Sequence, residues 1–539
     1  MTHPRRGAAA FGLLLSLGAC TVGPDFLRPS APEIPAWRNG EKGGPAVTQT
    51  TNPDPRWWNS FKDPVLTELI ETAIRDNLDL QQAVLRVMES REGIVTARAA
   101  GLPMLNGTGS YMREQLGIKA ILESRGVYGQ LNTLADQSST SSGSLSGLGA
   151  QAGPAVSRAL NQLTQPIDLF QYGLSASWEL DLFGRVRRSV EQARASTEAS
   201  EEASNDALTM LESEVAQAYV QLRGAQALTI SQNNNVRSAR SSLDLTQRRQ
   251  RQGIATALDV DQAQTQLLTY QRQLPDYEKQ EQQAVNRLNV LIGQPPGALD
   301  AKLASPAPLP ALPSVVGVGV PSTLARRRPD IRQAEAQLHA ATANVGVAVA
   351  NFYPDVSLTG SLGLRATDAS YLTNWASHFY SVGPSISLPI FQGGRLTANL
   401  RLARAQEIKA ALKYRGTVLN ALREVEDNLV AYRTDRVARD KLREVVRSGD
   451  DTLYLATSRF THGMADYLQV LDSQRTLFSA RQQLVQADMT LANDIVGLYR
   501  ALGGGWEDPG ADIQAPGVPG APPLLPGAAD SLAAGVKGR

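Results

Sequence analysis

From Tyr172 to Leu182 every second residue is apolar: Tyr172, Leu174, Ala176, Trp178, Leu180 and Leu182 alternate with Gly173, Ser175, Ser177, Glu179 and Asp181. A period of two predicts a strand with one oily and one wet face. After Phe183 and Gly184 the period changes. The 68 residues from Arg185 to Gln252 hold no proline and one glycine, and Leu208, Leu211, Val215, Ala218, Tyr219 and Leu222 recur every three or four. At about 1.5 Å per residue this is a helix on the order of 100 Å long. A compact core has no use for that length, so a strand joined to it points to a chain that spans a compartment.

The rest of the chain repeats this plan. Asp63-Pro64 reads as an N-cap with proline at the first helical position, opening a helix to about Ala100 with a break near Asp76–Leu80. Within the repeat 61–292, strands are expected near 103–113 and 171–182, with a helical hairpin turning at Gly253 and returning from about Leu258 to Leu291. Pro275 predicts a kink or break in the returning helix. A proline-rich linker, 293–321, precedes a second repeat, 322–506, with strands near 354–365 and 382–391 and a hairpin turning at Gly463. Pro103–Ser110 matches Pro354–Ser361 at an offset of 251, whereas Gly184-Arg185 matches Gly394-Arg395, and Gly253 matches Gly463, at 210. The difference, 251 minus 210, leaves 41 extra residues in the first copy, between its strands. The chain is a tandem duplication. Leu477, Leu484, Leu491 and Leu498 keep a seven-residue spacing that packs helices as coiled-coil neighbours.

The remaining segments have different compositions. Arg5 and Arg6, an apolar run from Ala8 and then Leu17-Gly18-Ala19-Cys20 form an export signal over 1–19, too short to span a membrane. Residues 20–60 read as an extended tether, with Trp57, Trp58 and Phe61 pinning it to the body; the insertion at about 114–170 suits an exposed loop, and 507–539 a disordered tail. Cys20 is the one cysteine, so no internal disulfide can form. With 53 Lys+Arg against 52 Asp+Glu, a formal net charge of +1, nothing indicates a nucleic-acid surface. His3, His339, His378 and His462 stand apart from any ligand cluster, no cofactor motif occurs, and no nucleophile motif supports an enzyme. Arg326-Arg327-Arg328 reads as a solvated or locally paired group at a helix entry.

No later segment has the ~18 uninterrupted apolar residues of a membrane helix. A membrane passage would have to use strands, and four are too few: open edges are not tolerated in hydrocarbon, and closed barrels need about eight or more. Closure must then come from several copies of the chain, oily faces outward around a water-filled lumen. The alternative is a soluble antiparallel sheet packed on its apolar side.

Five separated stretches carry a resemblance: WELDLFGR at Trp178–Arg185, LARRRPDIRQAEAQL at Leu324–Leu338, NFYPDVSLTGS at Asn351–Ser361, LPIFQGGR at Leu388–Arg395 and LYRALGGGW at Leu498–Trp506. Over residues 17 to 506 the chain resembles the TolC-like outer-membrane factor family, most closely the lipoprotein branch represented by OprM. The resemblance implies a mixed α/β membrane protein and a homotrimer. Its twelve-stranded transmembrane β-barrel, four strands per chain, would continue into a long α-helical periplasmic barrel. It implies the outer-membrane channel of a tripartite efflux pump, a passive, non-enzymatic exit duct. The partners would be a periplasmic adaptor (membrane fusion) protein and an inner-membrane resistance–nodulation–division transporter. Type I protein secretion is the alternative duct, and a non-conducting lipid-anchored scaffold the alternative from another class. The stretch ending at Cys20 resembles a lipobox, which implies diacylglycerol and palmitate on Cys20 and outer-membrane anchoring; an ordinary secretory signal is the alternative.

The same resemblance assigns roles to residues. The tips Gly253-Ile254-Ala255 and Gly463-Met464-Ala465 would face the adaptor, and Tyr172, Leu174, Trp178 and Leu180 would face lipid. Leu468 and Asp472, four apart on one helix face, match an apolar and an acidic ring at the periplasmic gate. Without the resemblance they read as a packing residue and a solvated charge. Asp259 matches a tip-latch carboxylate and reads equally well as a first-turn helix acid. Phe460, Ala465 and Gln469 depart from TolC's latch residues.

Overall fold

The computed structural model describes residues 21–30, 34–39, 47–48, 54–115 and 165–506, with isolated positions between 120 and 133. Residues 1–20 with Cys20, most of the insertion after Glu114 and the tail after Trp506 lie outside the described residues.

In chain order the elements are β1 (Val47–Thr48), α1 (Pro64–Asp76), α2 (Leu78–Ala99), β2 (Met104–Glu114), β3 (Ile167–Glu179), α3 (Arg185–Arg251), α4 (Ala257–Leu291), α5 (Asp300–Leu303), β4 (Val316–Gly317), α6 (Pro321–Arg327), α7 (Pro329–Ala350), β5 (Asp355–Ala366), β6 (His378–Ser387), α8 (Arg395–Thr461) and α9 (Tyr467–Ala501). The long helices α3 and α8 each have 67 residues, and their returning partners α4 and α9 each have 35, at the offset of 210. Helices α2 and α7 each have 22, at the offset of 251.

Two compact units form. The first contains Val95–Val190 and Gly346–Leu400 with the segment ending at Gly23. Its four strands make one antiparallel sheet in the order β2-β3-β5-β6, so β2 and β6 are both open edges. Strand β3 stops at Glu179, leaving Leu180 and Leu182 beyond the ladder. Strand β6 runs over His378–Ser387 rather than 382–391, and its partner explains the shift. Strand β5 begins at Asp355, opposite Ser387, and the preceding Pro354 has no N–H to extend the ladder.

The second unit contains Pro24–Ile94, Glu191–Val345 and the chain from Arg401. Trp57, Trp58 and Phe61 are buried in its main core beside Leu211, Tyr219, Leu288, Leu429 and Ile495. Asp63 caps α1 by accepting from the Val65 and Leu66 N–H groups at 2.9 and 3.2 Å, and Asn77 makes the α1–α2 break by capping Leu80. A separate core, including Leu243, Leu267, Tyr270, Phe460, Leu471 and Phe478, ties the hairpins together nearer their turns.

Two sequence expectations change here. Helix α4 runs through Pro275 without a break, and it is buried on both sides of the proline, through Leu267 and Tyr270 before it and Tyr277, Ala284 and Leu288 after it. Arg328 is neither solvated nor only locally paired. It is buried, with Asp330 at 2.7 Å, Glu424 at 2.9 Å and the Ala501 carbonyl at 3.0 Å. Those partners raise its pKa against the cost of desolvation.

Candidate functional site

The sheet register separates two faces. On one, Leu105, Tyr172, Leu174, Trp178, Leu358, Leu362, Val382 and Ile386 line up across the strands. On the other, Asn106, Ser175, Ser361 and Ser381 form one row, and Met104, Ser177, Thr359 and Gly383 the next. The apolar face is open: Tyr172, Leu174 and Trp178 are exposed large hydrophobics, as are Leu362, Tyr380 and Val382. Aromatics bound it at both ends, with Tyr111 packed on Phe170 at 4.9 Å at one end and Trp178 at the other. Phe170 and Trp178 are eight residues apart, about 26 Å along a strand, near the ~25 Å apolar band of an outer-membrane barrel. Leu180 sits just past the strand end, its N–H donating to the Val356 carbonyl at 2.8 Å.

Below the sheet the first junction is tightly tied. Glu179 pairs with Arg185, and Asp181 accepts from the backbone N–H groups of Val186 and Arg187 at 3.0 and 2.9 Å, supplying acceptors at the start of α3. The tether seats here as well. Val22 N–H donates to the Phe183 carbonyl, the buried Arg188 donates to the Val22 and Gly23 carbonyls, and a Cβ on Gly184 would come within 2.7 Å of the Thr21 side chain.

Both hairpin turns of the second unit close by the same device. Gly253 and Gly463 take φ of +77° and +76°, which a side chain would strain, and the following N–H groups return to the carbonyls of Arg249 and Arg459. Ile254 and Met464 project into solvent. Asp259 forms a capping box with Thr256: its carboxylate accepts from the Thr256 N–H and hydroxyl, both at 2.8 Å. Leu468 and Asp472 share the exposed side of α9, while Tyr467, Val470, Leu471 and Gln474 are buried on the other side.

Sequence reasoning missed Arg249. Its side chain crosses to the other hairpin, where Nη1 donates to the Phe460 carbonyl and the guanidinium lies 4.3 Å over the Phe460 ring. Phe460 in turn packs 5.6 Å from Tyr467, whose hydroxyl pKa burial pushes up to about 12. Only the position of Phe460, one turn before Gly463, was visible as a cue.

An amphipathic sheet with two open edges, joined to paired hairpins of unusual length, defines an outer-membrane channel protein. The family model described as outer membrane efflux protein matches residues 69–294 and 320–504, one segment per repeat. The chain belongs to this family. It is 34% identical over 512 residues to the outer membrane protein OprJ of Pseudomonas aeruginosa, covering 94% of this chain and 98% of that one. It is also 34% identical to the toluene efflux pump outer membrane protein TtgC of Pseudomonas putida, over 91% and 93%. Among solved structures, the outer-membrane channel OprN aligns with a TM-score of 0.77 at 31% identity, covering 91% of this chain and 100% of that one. The open state of the Neisseria gonorrhoeae MtrE outer membrane channel aligns with a TM-score of 0.69 at 27% identity, over 92% and 100%. The chain is thus an efflux channel of the outer membrane and no enzyme, with the trimeric channel fold built from four strands per copy.

Proposed function

We propose that three copies close edge to edge, β6 of one copy onto β2 of the next, and that the resulting barrel is a passive exit duct for small molecules. The observation that carries this is the register. A sheet that exposes a broad apolar face from Phe170 to Trp178, carries rows of hydroxyls and glycines on its other face, and leaves both edges open has no stable use as a soluble monomer. Tyr172, Leu174 and Trp178 then face lipid, with Leu180 at the membrane boundary. The tips Gly253-Ile254-Ala255 and Gly463-Met464-Ala465 dock a periplasmic adaptor, which links the duct to a resistance–nodulation–division transporter in the inner membrane. Energy comes from that partner. Relatives are named for toluene, solvent and antibiotic efflux, a spread that suits a duct whose pump has already chosen the cargo.

Cys20 carries the lipid anchor in this reading. Thr21 and Val22, the next residues, are tied to Phe183 and Gly184 directly below the apolar face, so an acyl chain on Cys20 needs no long tether to reach the bilayer. Mass spectrometry of the mature amino-terminal peptide should find an acylated Cys20, and an unmodified one removes the anchor.

Leu468 and Asp472 form the closed gate, one apolar and one acidic ring. Replacing both, Leu468→Ala with Asp472→Ala, should raise basal conductance of the purified protein in planar bilayers. Unchanged conductance would exclude the two residues as the gate and leave the duct standing. Conductance in neither protein would sink the duct.

A further inference from the structure

We propose that Arg365 biases the duct toward small anions at the end of the sheet opposite the Glu179–Arg185 junction, against the cation preference of the acidic Asp472 ring at the gate. This rests on the duct reading above and concerns a residue for which the family resemblance gave no role.

Among the described residues of the four strands, four charged groups share the hydroxyl-rich face: Glu114, Glu179, Asp355 and Arg365. Glu179 is already neutralised by Arg185, at the junction end with Asp355. The rows between the two ends are uncharged: Ser, Thr, Asn and Gly, with Met104 at one edge and Phe379 at the other. Arg365 stands in the row of Ser110 and Gln171. Glu114 is four residues further along its strand than Ser110, about 13 Å away, which exceeds the ~8 Å screening length of physiological salt.

What holds Arg365 is as telling as where it stands. Its Nε donates to Gln171 Oε1 at 3.0 Å, and its guanidinium lies 4.7 Å over the ring of Phe379. That ring occupies the space over Gly363, where a Cβ would come within 3.0 Å of it and within 2.4 Å of the Tyr172 carbonyl. Glycine at 363 therefore makes room for the aromatic prop. Arg365 forms no ion pair among the described residues. An amide and an aromatic face orient a cation without cancelling it, whereas a carboxylate would do both. Three copies bring three such guanidiniums to one level of the lumen, and a ring of fixed cations lowers the barrier to anions.

The test is the reversal potential of the purified full chain carrying Leu468→Ala with Asp472→Ala, which removes the acidic gate from the series, in planar bilayers under a KCl gradient. Arg365→Gln should lower the chloride-over-potassium permeability ratio roughly two-fold near 0.1 M salt, and the difference should vanish near 1 M, where the screening length falls to about 3 Å. Arg365→Glu should lower it further, and Arg365→Lys should retain the native ratio. To separate charge from folding, Arg365→Cys can be assembled first and then reacted with a cationic or an anionic methanethiosulfonate. The cationic adduct should restore the ratio and the anionic one depress it. Ratios indifferent to the charge at 365, or a Lys variant behaving as the Gln variant does, overturn the proposal while the duct stands. A native protein that does not conduct overturns both.

Discussion

The two repeats have helices of identical length, yet one is tied down within the chain and the other is left open. At the first junction Glu179, Asp181, Arg185 and Arg188 are engaged, and Thr21 and Val22 sit against Phe183-Gly184. At the second, the Arg395 side chain reaches only Gln392 among the described residues, at 2.9 Å, and Ile390 and Phe391 are 90% and 88% exposed. Helix α8 continues the theme with Leu402, Ile408, Leu412 and Leu419 exposed. Duplication copied the backbone, and the side chains then diverged. One copy closes its own protomer; the other presents apolar surface that three copies together would cover.

The sharpest way to break that contrast is at the bare junction. Ile390→Asp with Phe391→Asp should leave the chain monomeric in detergent, since each buried side chain of this size is worth about 1.5–3 kcal/mol and every interface would lose both. Size-exclusion chromatography with light scattering reads the outcome. A stable trimer would mean that this surface is not the interface.

The helical pairs differ in a second way. In the first repeat Ala225 and Ala284 are buried; the same positions of the second repeat, 210 residues on, are Asp435 and Asp494. Burial and the adjacent Asp435 push the Asp494 carboxyl up to about 7. A pKa raised above the unfolded 3.8 means the native state holds the proton more tightly. Its stabilising share is complete below that value and is lost as pH rises through about 7. The effect is on the order of 2 kcal/mol, discounted for partial exposure and a shared proton. Asp435→Ala with Asp494→Ala should therefore flatten thermal stability between pH 5 and 8, a window within which Asp494 titrates. An unchanged slope would place the titration elsewhere.

Arg249 joins the unlike tips. Removing it as Arg249→Ala should cost about 1–2 kcal/mol of hairpin-to-hairpin contact and raise basal bilayer conductance, with Arg249→Lys intermediate. Equal conductance in all three would confine Arg249 to a packing role.

How much of this was legible from residues alone follows from the range of each interaction. Period two along Tyr172–Trp178, period 3.6 along Leu208–Leu222 and the offsets of 251 and 210 are local or self-referential, and they located strands, hairpins and turns. The end of β6 depends on where its partner β5 starts, so the apolar Leu388 and Ile390 misled. Arg328 and Arg249 find partners 96 and 211 residues away, in Glu424 and Phe460, a distance no spacing encodes. At Pro275 the helix continues where the local rule allowed a break, with buried side chains on both sides of the proline.

The finest contrast lies at the helix starts just after the turns. Thr256 accepts from the Asp259 N–H at 3.2 Å while Asp259 answers with its carboxylate; the corresponding Asp466 makes no side-chain cap, and Gln469 stands at the position of Asp259. Thr256→Ala should thus cost about 1 kcal/mol, roughly five-fold faster amide exchange over Gln252–Gln262. Asp466→Ala should change exchange over His462–Asp472 by less than about two-fold, because only its weak interaction with the helix dipole is lost. Hydrogen exchange with mass spectrometry compares the two peptides in one sample. Equal sensitivity would mean that the second tip is capped as firmly as the first, and the looser end of the molecule would have to be sought elsewhere than in the repeat that carries Leu468 and Asp472.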